Sequence, residues 1–243
     1  MMTTDSCQQH SSLILLTSVI LLLGIIGTNA QAETSPGANL QGRILYRGPI
    51  PPAETQAIAQ DKETCGATHQ LFPVVVSDDG GLAQAVVSVE GLGDTPVSSK
   101  EDLVIVRNDK CRFQPHIAVG SIKQHLEVQN NDPILHNTHI RTKKRAFFNV
   151  VLLPHSQGIK KVLKEPGLMT IACNKHPFMM GYVQVFDHPY YALTDSQGAF
   201  SVPNLPPGTH RLSIWHKTLG TIHQTVTIPH TNNADLIIEF PAH

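Results

Sequence analysis

Apolar residues in this chain come in short runs, and nearly every run is closed by glycine or proline. Residues 40–47, 83–89, 103–106, 125–128, 147–153, 168–173 and 182–186 are each four to eight residues long and rich in Val, Ile and Leu. Runs of that length are too short for ordinary globular helices and suit strands. The 17 glycines and 17 prolines fall between them, where a chain must reverse. Asp78-Asp79-Gly80-Gly81 reads as a hairpin turn joining strands at 72–76 and 83–89. Residues 53–70, rich in Ala and Gln, read as a short helix or an ordered loop. The pattern predicts an all-β protein built as a sandwich or barrel, and 243 residues allow one or two domains.

Residues 13–27 are the exception, a nearly continuous apolar run followed by Ala30-Gln31-Ala32. A small-x-small site after such a run predicts a secretory signal peptide over 1–32, although no Lys or Arg precedes it. An uncleaved N-terminal anchor is the alternative, but the run is short for a membrane span. The expected location is therefore periplasmic or otherwise secreted, with no stable membrane insertion of the mature chain. With Asp5 removed, 18 acidic residues face 18 basic ones, a balance that argues against nucleic-acid binding.

Two stretches carry metal-ligand chemistry. The first is Asn131-Asp132-Pro133-Ile134-Leu135-His136-Asn137-Thr138-His139, and the second is Cys173-Asn174-Lys175-His176-Pro177-Phe178-Met179-Met180-Gly181. Two imidazoles and a thiolate with a weak axial thioether form the ligand set of a blue-copper electron-transfer site. Alternation along an extended stretch turns only one of Met179 and Met180 toward a metal.

The second stretch resembles the copper loop of the cupredoxin family, closest to its short-loop, amicyanin-like members. The first resembles the strand end that carries the upstream ligand in that family. The likeness spans residues 101–187 and includes Ile117-Ala118-Val119-Gly120 and Glu165-Pro166-Gly167. It implies a Greek-key β-sandwich and one copper ion held by His136, Cys173, His176 and Met179. Asn137 matches the residue that hydrogen-bonds near the cysteine sulfur. The resemblance also puts the edge of His176 near the surface in an apolar patch. Leu135, Pro177 and Phe178 are then the expected docking residues for a redox partner protein. The basic run Arg141 to Arg145 would steer an acidic partner, or is simply a solvated loop.

Of the cysteines beyond the leader, Cys65 and Cys111 remain once Cys173 is assigned. An exported compartment permits their disulfide, and two reduced thiols are the alternative.

The tail has another rhythm. Asp195-Ser196-Gln197-Gly198 and Leu205-Pro206-Pro207-Gly208 are turns between strands. They resemble the small carboxypeptidase regulatory-like (transthyretin-like) sandwich, as does the early strand Gly42-Arg43-Ile44-Leu45-Tyr46. The expected organisation is 33–100, a copper domain at 101–187, and 188–243. The outer segments either form one sandwich with the copper domain inserted, or fold as separate domains. The expected function is single-electron transfer without enzymatic activity. Copper storage or delivery is the first alternative; a copper enzyme with an added His-rich site and a non-metal interaction sandwich are the others.

Overall fold

A computed structural model describes residues 37–93, 95–97, 103–229 and 234–242. The expected leader and part of the expected junction at 91–100 lie outside them. Among the described residues the elements are strands, apart from one helical turn at Lys62–Cys65. No described helix is long and apolar enough to cross a membrane.

The strands form two sandwiches. In the first, a three-stranded sheet runs Ala199–Leu205, Ala38–Tyr46, Ala234–Phe240. Its partner sheet runs Tyr191–Leu193, Val86–Val89, Gly208–His216, Gly220–Ile228. Leu40, Ile44 and Val202 of one sheet and Val87, Leu212 and Ile214 of the other share a single buried cluster. Early and late segments of the chain therefore complete one core. Ala38–Tyr46 pairs antiparallel with Ala199–Leu205 and parallel with Ala234–Phe240. The turn before Ala199–Leu205 works as its composition implies. The Asp195 carboxylate accepts the amides of Gln197 (2.8 Å) and Ala199 (2.9 Å), and Gly198 supplies the positive φ of 74°.

The second sandwich uses residues 103–186. Its five-stranded sheet runs Ala146–Leu152, His136–Arg141, Gly167–Cys173, Met180–Phe186, Ile117–Ser121. Its four-stranded sheet runs Ile159–Val162, His125–Asn130, Leu103–Asp109, Arg112–Gln114. Val104 and Val106 point inward from one sheet, and Ile140, Ile171 and Val183 from the other, as strand alternation requires. A smaller group of Val86, Ile117 and Phe186, flanked by Tyr182, Tyr191 and Trp215, joins the two sandwiches.

One expected strand is absent. Residues 72–76 contribute only a single bridge, Val76 to Leu82, although the Gly80 turn forms. Pro73 lacks the amide a ladder needs. The strand lies earlier, at Thr68–Leu71, pairing with Glu54–Ala57. These two strands and the turn Lys62–Cys65 make a strap, tied to the second sandwich by the Cys65–Cys111 disulfide.

Candidate metal centre

The register of two neighbouring strands builds the first half of the site. Cys173 pairs with Thr138 and Ile171 with Ile140. Inward positions on His136–Arg141 are 136, 138 and 140, so His136 lies one inward step beyond the cysteine's partner. That step carries its ring past the end of the ladder, over the thiol. Cys173 Sγ lies 3.7 Å from His136 Nδ1.

The loop after Cys173 supplies the rest. The Met179 amide donates to the His176 carbonyl (2.9 Å) and the Cys173 amide to the Met179 carbonyl (3.3 Å), which folds the segment back on itself. His176 Nδ1 then lies 3.6 Å from the sulfur and 3.1 Å from His136 Nδ1. Met179 is 1% exposed within the same core, whereas Met180 is 41% exposed. Asn137 ties the two ligand segments together. Its carbonyl accepts the Asn174 amide (2.9 Å), and its side-chain oxygen accepts from the Asn174 side chain.

Each imidazole is gripped on its outer nitrogen by a carboxylate. His136 Nε2 lies 2.9 Å from Asp132 Oδ2. The buried Asp132 also accepts the amides of Lys110 (2.6 Å) and Cys111 (2.9 Å), whose backbones are both left-handed. His176 Nε2 lies 2.8 Å from Asp61 Oδ2, which also meets Lys175 Nζ at 2.8 Å. Hydrogen bonds from Lys175 and His176 hold the Asp61 carboxyl below its usual pKa. Burial holds His136 below its usual value despite Asp132. With both outer nitrogens engaged, both Nδ1 atoms face the sulfur.

The two carboxylates belong to one bracket, closed by a disulfide and by hydrogen bonds. Asp61 caps the turn Lys62–Cys65, and its carbonyl accepts the Cys65 amide (2.8 Å). Cys65 is disulfide-bonded to Cys111, 46 residues away. Cys111 is itself held by Asp132. The bracket thus runs from His176 through Asp61, Cys65, Cys111 and Asp132 to His136.

The strap corrects one expectation. His176 is 1% exposed, not an accessible edge, because Asp61 covers its outer nitrogen. Phe178, expected on a docking patch, is 7% exposed and packs between His176 (5.7 Å between ring centroids) and His69 (5.2 Å). Pro177 is exposed and Leu135 half-buried. The basic run begins at the other end of His136–Arg141, about 16 Å from His136. Arg145 there pairs with Glu165.

Asp61 and His69 escaped sequence reasoning because they lie far from the ligands in the chain, inside a segment with no motif. Asp132, four residues before His136, was legible as a turn residue but not as a brace. Among the described residues the only other metal-ligating group is Cys111, Asp132 and His136, and its thiol is tied up in the disulfide.

A family model described as polysaccharide lyase family 4, domain II, matches residues 179–236. No curated protein matches the chain in sequence. Among solved structures, amicyanin from Paracoccus versutus is 22% identical; the alignment covers 41% of this chain and 96% of that one, with a TM-score of 0.32. A reduced amicyanin variant is 18% identical over 41% and 97% of the two chains, also at TM-score 0.32. A copper-containing nitrite reductase from Thermus scotoductus is 20% identical over 35% of this chain and 22% of that chain, at TM-score 0.31.

Proposed function

We propose that this chain is an exported carrier of single electrons, holding one copper ion through His136, Cys173, His176 and Met179. The observation that carries the reading is the buried trio of two imidazole nitrogens and one sulfur, 3.1–3.7 Å apart. Separations of that size are what ligands about 2 Å from one shared ion require. A set of one soft sulfur and two imidazoles suits copper. Bound copper would supply a one-electron Cu(I)/Cu(II) couple.

The chain's own residues do the rest. Asp132 and Asp61 fix the two rings with Nδ1 inward, and such bonds also raise ligand basicity. The core around Cys173 and Met179 keeps water out. The strap prevents the ligand loop from opening, so the site keeps one geometry through a change of charge. From His176 the ring contacts lead through Phe178 to His69, and we take this as the exit route. The disulfide fits an oxidising compartment. We read residues 103–186 as a unit inserted into the sandwich made by the two ends of the chain.

Copper delivery uses the same ligands but needs easy release, and two braced histidines under a disulfide-tied strap work against it. Loading the chain with Cu(II) tests the reading. An intense visible thiolate-to-copper band is expected, and Cys173→Ser should abolish it while the far-ultraviolet dichroism stays that of a β protein. An undiminished band in that variant would overturn the assignment. Rapid transfer of copper to a weak chelator would favour delivery.

A further inference from the structure

The ring chain from His176 ends at a cleft. His69 lines it, together with Arg112, His116, Lys217, Phe72 and Met180, and the cavity measures about 270 Å³. No Asp or Glu among the described residues contributes to its lining.

The two cations there have only neutral partners among the described residues. Lys217 Nζ lies 3.1 Å from His116 Nε2 and donates to the Phe72 carbonyl at 3.4 Å. Arg112 Nη1 donates to the Gln70 carbonyl at 3.4 Å. Both side chains are half-buried. A cation drawn partly out of water without a counter-charge is costly, and an anion arriving beside it recovers that cost. His116 does not supply the counter-charge. Burial pushes its pKa down to about 4, so near neutral pH it is an uncharged acceptor that aims the ammonium. Burial likewise lowers the pKa of His69, with the Arg112 charge adding to the effect. The rest of the lining mixes apolar side chains, among them Phe72 (54% exposed) and Met180 (41% exposed), with Gln70, Gln84 and Gln114.

We propose that this cleft binds a small organic carboxylate, with the anionic end on Lys217 and Arg112 and the apolar body against Phe72 and Met180. A guanidinium matches a carboxylate in shape as well as charge. The volume suits a compact molecule and is small beside ordinary drug-sized pockets. Met179, the inward methionine of the metal centre, also lines the cleft, so a bound molecule lies beside that centre. The binding claim itself does not depend on copper.

Calorimetric titration of the copper-free full chain with benzoate tests it. One site is expected. Lys217→Gln and Arg112→Gln should each weaken binding about tenfold, the loss of one charge-assisted contact. Lys143→Gln, in the remote basic run, should leave it unchanged, and benzyl alcohol should not compete. Thermal unfolding of each variant establishes folding; if Lys217→Gln does not fold, the half-exposed Arg112→Gln decides. No benzoate binding up to about 10 mM, a range that covers even weak sites, would overturn the proposal. Equal binding of benzyl alcohol, or undiminished affinity in the folded variants, would do the same. Tighter binding of inorganic phosphate would refute the carboxylate assignment. Binding of a hexaglutamate peptide without benzoate would make the cleft a protein-docking surface instead.

Discussion

Asp61 shows how far a single residue acts from its place in the chain. It lies 115 positions before His176, yet its carboxylate holds that ring's outer nitrogen and the Lys175 ammonium together. Substituting a carboxylate that orients a metal-binding histidine commonly costs ten- to a hundredfold in metal affinity. Asp61→Ala is therefore expected to weaken Cu(II) binding by about tenfold or more, read by competition with a chelator of known affinity. Asp61→Asn, which keeps a hydrogen-bond acceptor but not the charge, should recover part of that loss. Met179 and Met180 separate in the same way. Met179 sits in the core beside Cys173 while Met180 opens to the cleft, so Met179→Leu should shift the copper potential and Met180→Leu should not. Cyclic voltammetry of the two loaded variants checks this, and a shift confined to Met180→Leu would reverse the assignment.

At the scale of elements the strap decides how the centre meets its surroundings. Glu54–Ala57, Thr68–Leu71 and the turn between them bury little of their own; Ile58 and His69 are what they sink into the second sandwich. A segment with so few buried contacts depends on its covalent tie. Closing a loop of 46 residues is worth about 4 kcal/mol on chain-entropy grounds, and measured values usually fall at 2–4. The double variant Cys65→Ala, Cys111→Ala should lose about 2–4 kcal/mol in urea unfolding. With the strap free to lift from His176, the loaded variant should also lose copper to a chelator several-fold faster than the native chain. Unchanged release alongside lowered stability would mean that Asp61 and Ile58 hold the strap without the disulfide.

Over the whole molecule, two histidines held below their usual pKa by burial make stability depend on acid. His216 is buried at the end of Gly208–His216, and its Nδ1 accepts the amides of Thr218 and Leu219, both at 3.3 Å. Burial pushes His116 and His216 each down to about 4. In the unfolded chain both take up a proton near pH 6.5. Between about pH 6.5 and 4 the unfolded state thus binds more protons, and stability falls as pH falls. It is complete above that window and lost through it, by an amount on the order of a few kcal/mol for the pair. Urea unfolding of the copper-free chain at stepped pH should show this slope, and His216→Gln should remove about half of it. A slope unaltered by that substitution would assign the acid sensitivity to other groups. Much of this architecture is local and was legible in the chain itself. The strands around 168–173 and 182–186 followed from their short apolar runs, the Asp195 and Gly198 turn followed from its residues, and Cys173 and His176 share one short loop that the structure brings together with His136. The strand expected at 72–76 failed because Pro73 breaks the ladder, and the true strand at Thr68–Leu71 is too polar to announce itself. Only the tertiary structure decided that Ala38–Tyr46 pairs with both late strands, that Asp61 reaches His176, and that Lys217 and Arg112 face one cleft. Those contacts join residues that no short-range periodicity relates, and they exist because burial energy is shared across the whole chain while sequence patterns report only near neighbours.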